Sequence, residues 1–383
     1  MRRFTRHVRT DRASLCQRSN LAPCLIGLLA LMSVAAGPPV QRDGTASTLR
    51  LFPHQVNAQR EAAQWPLVQA PSVLVADVDT NQVLLDKQAE VPRPMASTTK
   101  IMTALLALEH GRPEDIVTVP ATALTVGGSS MYLSAGETLT LEDLLYGLLL
   151  PSANDAAVTI ATYVAGSEEA FVGLMNRRAA ELGLMQTHFV NSHGLDAPGH
   201  YASARDLYIL TRTALQFPLF ARIVATVSYE AAGHALTNTN ELLTLDVHGD
   251  GVKTGTTDEG GECLVASVNY DGHRTIVVIL GSTQRYADAQ ALLAHYRTYY
   301  GWIRLSVPEN ALNRARDRNG EWRFLTSGPA PMAFVPSWQR TWVQPLRERL
   351  ADDNDQPGAP AGAVHFRQGD RDLGTQPLMW GAY

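Results

Sequence analysis

Cysteine is nearly missing from this chain: three residues in 383, at positions 16, 24 and 263. Cys16 and Cys24 precede the first patterned segment, so Cys263 stands alone in the globular part and no intramolecular disulfide framework is available. A single cysteine in an apolar, strand-like setting is a packing residue. Charge of one sign is missing too, since a formal net charge of -5 leaves no basic excess for holding a nucleic acid. Long apolar runs are absent: Leu21 to Ala36 is shorter than the ~20 residues a spanning helix needs, and Pro23 interrupts it. No internal repeat is visible, and no amphipathic helix of the kind that rests on membranes closes the chain. What remains, at 45% hydrophobic and 18% charged residues, is ordinary for one large globular domain or two unequal ones.

The first residues read as an address. Arg2, Arg3, Arg6, Arg9, Arg12 and Arg18 precede the apolar run, and Val34-Ala35-Ala36 offers small residues where a signal peptidase cuts. A cleaved export signal over 1–36 is expected, with an uncleaved anchor as the alternative. Leu21-Ala22-Pro23-Cys24 loosely resembles a lipoprotein site, but the apolar run follows it instead of preceding it. Residues 37–67 are mixed and unpatterned, and read as a tether.

Globular patterning begins near Ser72. Val73 to Val78, a polar turn at Thr80-Asn81, and Gln82 to Asp86 predict a hairpin. It leads into Pro94 to Glu109, apolar on nearly every face, which predicts a helix running through a core. Ile116 to Val119 and Met131 to Leu133 read as short strands. Further helices are expected over Leu139 to Leu150 with Thr140 as cap, Ala156 to Ala165, Glu168 to Leu184, and Ser203 to Gln216 with Pro218 as a stop. Strands return at Asp250 to Gly255, at Cys263 to Tyr270 and at Arg274 to Leu280, the last two joined by an Asp271-Gly272 turn. A helix from Tyr286 to about Arg304 closes this unit. Strands at both ends with helices between them predict an α+β fold, its antiparallel sheet assembled from distant segments. From Ser306 onward, prolines punctuate short alternating runs such as Ala333-Phe334-Val335, the pattern of a small β module. The expected domains are therefore 68–305 and 306–383.

Three short motifs carry chemistry. Ser97 and Lys100 stand one turn apart, on the same side of the expected buried helix. A serine there is simplest as a helix cap, but a lysine there must be paired or neutral, and a neutral amine beside a hydroxyl is a base beside a nucleophile. Ser152-Ala153-Asn154 falls on a break between helices, where it either caps a helix or reaches into a cleft. Lys253-Thr254-Gly255 lies on a strand: the lysine brings positive charge, the threonine a hydroxyl, and the glycine lets a substrate backbone lie close. If a substrate pairs there as an added strand, the backbone N–H groups of Ser97 and Thr256 form an oxyanion hole. This ordered trio occurs in penicillin-binding proteins and class A β-lactamases.

Beyond the trio, Pro94 to Lys100, Gly128-Ser129-Ser130-Met131, Ser152 to Ala156, Phe171 to Asn176, His193-Gly194-Leu195-Asp196 and Asp250 to Gly255 all read alike. Over Ser72 to Arg304 the chain resembles the serine D-alanyl-D-alanine carboxypeptidases among the low-molecular-mass penicillin-binding proteins. That resemblance implies the serine β-lactamase/DD-peptidase-like fold, with a helical subdomain beside the sheet and a small β domain after it. It implies an exported bacterial enzyme of the periplasm or cell envelope that removes the terminal D-alanine from peptidoglycan stem peptides. Ser97 is the implied nucleophile, Lys100 its base, and Ser152 and Asn154 the partners that relay a proton and hold a substrate amide. Lys253, Thr254, Gly255 and Thr256 would line the substrate strand, and Arg285 would grip the terminal carboxylate; the alternative for Arg285 is a solvated residue at a helix start. β-Lactam antibiotics are implied as covalent inhibitors, and no metal or cofactor is called for. His193 is expected to be structural. Thr239, in Asn238-Thr239-Asn240, departs from relatives that carry arginine there. The rival readings are a DD-endopeptidase, a β-lactamase and a catalytically silent wall-binding protein. Gln186 to His193, where a class A lactamase has its water-activating glutamate, contains no carboxylate.

Overall fold

The computed structural model describes residues 41–43, 53–307, 313–350 and 354–382. The expected export signal and the cysteines at 16 and 24 lie outside the described residues. The fold is organised around a five-stranded sheet of β1 (Ser72–Asp77), β2 (Gln82–Lys87), β3 (Gly249–Thr257), β4 (Gly261–Tyr270) and β5 (His273–Ser282). Its order is β2-β1-β5-β4-β3, every neighbour antiparallel, which leaves β3 as an edge. Side chains alternate along β1: Leu74 and Ala76 enter one core, Val73 and Val75 the other. That alternation is why the strand reads as a continuous apolar run. The β1–β2 and β4–β5 hairpin turns rest on left-handed residues, Asn81 in the first, and Asp271 (φ 53) with Gly272 (φ 87) in the second.

Helices cover both faces: α1 (Lys100–His110), α2 (Leu141–Leu149), α3 (Asn154–Ala165), α4 (Glu168–Glu181) and α5 (Ala204–Ala214) on one side, α6 (Arg285–Tyr299) on the other. Thr140, Ser167 and Ser203 cap α2, α4 and α5 through their hydroxyls, each accepting a backbone N–H three residues on. α1 is buried from Lys100 to Ala107, as its all-round apolar character requires.

Several expectations are corrected. The helix predicted from Pro94 is a 3-10 turn over Ala96–Thr99 that passes into α1 at Lys100. Pro218 starts a further helix, Pro218–Val224, because proline at the first position sacrifices no hydrogen bond. Met131 to Leu133 is a loop, since the N–H groups of Met131 and Leu133 bond the Asp155 carboxylate and that of Tyr132 bonds Ser130 Oγ, not a strand. The last helix ends at Tyr299, and Trp302–Arg304 pairs as a strand with Met332–Phe334. The tether reading of 37–67 also gives way: Gln41–Asp43 is a strand and Pro53–Ala62 a helix, while Trp65 stacks on Tyr300 at 5.4 Å. That helix is built of good helix formers but has too few apolar residues to show a period.

The last part of the chain forms a second, six-stranded sheet. Gln344–Arg349, Pro360–Gln368, Arg371–Trp380, Trp322–Ser327 and Arg314–Arg316 follow one another in it, and Gln41–Asp43 joins at the Gln344 edge. Its core is separate: Leu325, Val364, Phe366, Leu378 and Trp380.

Candidate active site

The Ser97 turn is held by its own neighbours. Thr98 Oγ1 donates to Met95 O at 2.6 Å and Thr99 Oγ1 to Ala96 O at 2.8 Å, while Ala96 sits at φ 47. No side chain caps α1, so the cap reading of Ser97 fails and its half-buried hydroxyl is available. Residues three apart nearly eclipse in a 3-10 turn, which brings Lys100 Nζ to 3.1 Å from Ser97 Oγ. Lys100 is completely buried, and Nζ also meets Asn154 Oδ1 at 2.6 Å and His193 O at 2.5 Å. Its pKa is driven well below the usual lysine value, first by burial, then by Lys253, against a smaller opposing pull from Asp155. A neutral amine has two N–H donors and one lone pair. The two short contacts go to oxygens that only accept, so in the neutral form they take both N–H groups and leave the lone pair for the serine hydroxyl.

Ser152 and Asn154 form the corner between α2 and α3. Ser152 adopts φ 68, and its buried Oγ has no hydrogen-bond partner among the described residues. Asn154 opens α3 and is pinned twice to a preceding loop: its N donates to Ser129 O at 2.7 Å and Nδ2 to Gly127 O at 2.6 Å. With Nδ2 committed there, the amide oxygen points at Lys100.

The third wall is the edge strand β3. Lys253 is buried and its pKa falls to about 7, through burial and then the nearby Arg285 charge. Its Nζ donates to Thr254 O at 3.0 Å, and Thr254 Oγ1 lies 2.7 Å from Thr239 Oγ1. Gly255 packs straight onto the serine turn, where a Cβ would stand 2.7 Å from Ser97 N and 2.8 Å from Ala96 Cβ. Arg285, at the start of α6, donates through Nη1 to Gly255 O at 2.7 Å and to Thr256 Oγ1 at 2.9 Å. It is therefore no free surface residue. Thr256 is exposed beside it.

A serine and a lysine one turn apart, a Ser-x-Asn corner and a Lys-Thr-Gly edge strand thus meet at one place. Residues 58–284 match the family model for D-alanyl-D-alanine carboxypeptidases, peptidase family S11. The chain belongs to that family. D-alanyl-D-alanine carboxypeptidase DacD of Salmonella typhimurium is 38% identical over 328 residues, covering 82% of this chain and 84% of that protein. DacF of Bacillus subtilis is 34% identical over 270 residues, 67% of this chain and 69% of the relative. Among solved structures, penicillin binding protein 6B from Escherichia coli superposes with a TM-score of 0.64 at 29% identity, over 82% of this chain and 96% of that one.

For this DD-carboxypeptidase family member, the structure brings together all nine residues expected at the site. It also adds partners that motif reading missed. The backbone carbonyls of Gly127, Ser129 and His193 are among them, and a carbonyl leaves no mark in a sequence. Glu168 Oε1 accepts Ser192 N at 2.9 Å and Ser192 Oγ at 2.6 Å, steadying the segment that presents His193 O. The His193 imidazole is held neutral by burial, in keeping with a structural part. Cys263 is buried with its thiol pKa raised to about 11, a packing residue. Asp155 falls within the Ser152 to Ala156 motif, where motif reading assigns it no role.

Proposed function

We propose that this DD-carboxypeptidase acts through an acyl-enzyme at Ser97. The observation that carries this reading is the buried Lys100 amine, whose Nζ stands 3.1 Å from Ser97 Oγ and also meets Asn154 Oδ1 and His193 O, two oxygens that only accept; in its neutral form it keeps a lone pair for the Ser97 proton. The substrate peptide lies along the free edge of β3, its scissile carbonyl oxygen between the N–H groups of Ser97 and Thr256. Lys100 takes the hydroxyl proton as Ser97 Oγ attacks, and the C–N bond to the terminal D-alanine breaks. Ser152 Oγ, buried without a partner among the described residues, relays that proton from Lys100 to the leaving amine. Asn154 holds the substrate amide, and the positive charges of Lys253 and Arg285, with the Thr254 hydroxyl, receive the terminal carboxylate. Water then releases the shortened peptide.

Penicillin occupies the same serine, and its adduct persists. Gln186 N and Thr187 Oγ1 both bond Asp206, and Glu168 is taken by Ser192, so neither carboxylate is free to activate water at the ester. This favours a peptidase over a lactamase. Residues 1–36 send the protein out of the cytoplasm to the cell envelope, where peptidoglycan stem peptides are its substrate; among the described residues no helix is long and apolar enough to cross a membrane. Incubation with a D-Ala-D-Ala peptide should release D-alanine, and one equivalent of penicillin should stop it. Rapid turnover of nitrocefin without D-alanine release would overturn the reading.

A further inference from the structure

Asp155 lies beside the Ser-x-Asn corner, and its hydrogen bonds go elsewhere than to Ser97, Lys100 or the β3 edge. It is almost completely buried, and no cation pairs with it among the described residues. An acid in the first turn of a helix ordinarily caps its own N–H groups. Here Oδ1 accepts Ala156 N at 2.9 Å, but the other bonds reach back more than twenty residues. Oδ2 accepts Ser130 Oγ at 2.5 Å and Leu133 N at 3.1 Å, and Oδ1 accepts Met131 N at 3.2 Å. The same loop returns bonds to the adjacent residue, Gly127 O and Ser129 O receiving Nδ2 and N of Asn154. Gly128, at φ 83, passes so close that a Cβ would stand 2.7 Å from Asn154 Nδ2.

We propose that Asp155 is a positioning residue for acylation: its carboxylate anchors the 127–133 loop, and the loop's Gly127 carbonyl fixes the Asn154 amide that orients the Lys100 amine. The path runs by hydrogen bonds from Asp155 to Ser130, Met131 and Leu133, along the loop backbone to Gly127 O, and then by hydrogen bonds to Asn154 and Lys100. Without the carboxylate, Met131 N and Leu133 N lose their acceptor and the loop leaves Asn154. Asn154 is then free to turn its amide, and Lys100 loses one of the two acceptors that aim its lone pair at Ser97. The charge acts as well. Lys100 is faced by Lys253 from β3, by Asp155 from α3, and by His193 from the segment after α4, with Glu168 at the start of α4 behind it. Of these, Asp155 is the group that holds the Lys100 pKa up.

This inference rests on the acyl-enzyme reading, and penicillin acylation of the wild-type chain is the control for that reading. Acylation of the full chain by a fluorescent penicillin should be followed by stopped flow across pH, with circular dichroism to verify folding. Asp155→Asn should acylate on the order of 10- to 100-fold more slowly, with the acid limb of its pH profile moved to lower pH. On an Asn154→Ala background the same substitution should add little, because both act through one path. A folded Asp155→Asn variant with the wild-type rate and limb, or with an effect that multiplies fully on Asn154→Ala, would overturn the proposal. If Asp155→Asn does not fold, Ser130→Ala, which removes one of the carboxylate's loop contacts, decides: a several-fold loss confined to the Asn154 background supports it, and no loss refutes it.

Discussion

Replacing Lys253 by methionine should make this protein more stable while disabling it. The lysine is fully buried and its pKa falls from 10.5 to about 7 on folding. Between those values the unfolded chain holds the proton more tightly than the folded one. Folding stability therefore rises with pH across that window, and the penalty is largest at and below pH 7. At about 1.36 kcal/mol per pKa unit, the burden on the native state is about 4 kcal/mol at pH 7 and about 2 kcal/mol at pH 9. Methionine has a similar stem and no charge. It gives up the bond to Thr254 O, worth about 1 kcal/mol, so the net gain at pH 7 is about 3 kcal/mol. Urea unfolding of both proteins at pH 7 and pH 9 measures it. The variant's advantage should shrink by roughly 2 kcal/mol between the two. A gap that does not change with pH would refute the assignment of the penalty to the buried ammonium. The same measurement with a saturating anionic ligand should raise the wild type's stability more than the variant's, since the variant keeps only the Arg285 charge.

Ser97→Ala should fold with at most about 1 kcal/mol of lost stability and form no penicillin adduct by intact mass, because the hydroxyl caps nothing. Lys100→Arg cannot deprotonate and should lose nearly all acylation, whereas wild-type acylation should rise with pH through an ionisation well below that of free lysine. The rate should fall again above about pH 7 as Lys253 discharges, and this alkaline limb should vanish for an uncharged substrate analogue. Gly255→Ala should cut acylation at least tenfold, because its Cβ would displace Ser97 N, 2.7 Å away. Amidating the C-terminus of a D-Ala-D-Ala peptide should slow its cleavage sharply, and an unchanged rate would remove Arg285 and Lys253 from carboxylate recognition.

The site was legible in the sequence where chemistry needs a particular side chain at a particular spacing. Ser97, Lys100, Ser152, Asn154 and Lys253 announce themselves because a nucleophile, a base and a charged rim cannot be swapped for other residue types. Gly127, Ser129 and His193 did not, since they contribute carbonyls that every residue owns. Asp155 was visible as a letter but not as an anchor, because the partners that define its part lie on a loop with no local pattern. The sheet strands were legible from their apolar runs and the Asp271-Gly272 turn. Pro53–Ala62 was not, because a polar helix packed at one end of a domain lacks the period that burial imposes.

The distance along the chain between sheet partners sets a timetable. Val75 pairs with Val277, and the whole helical block is made between them. A chain emerging from the ribosome therefore carries β1, apolar on both faces, for some two hundred residues before its inner neighbour exists. During that interval the strand is an unpaired adhesive edge, the kind of segment chaperones cover. The nucleophile waits as well: the turn that holds Ser97 is walled by Gly255, which arrives only with the late strands. On the acyl-enzyme reading proposed above, the serine turn is therefore walled only once the sheet is complete, long after the first motif has been made.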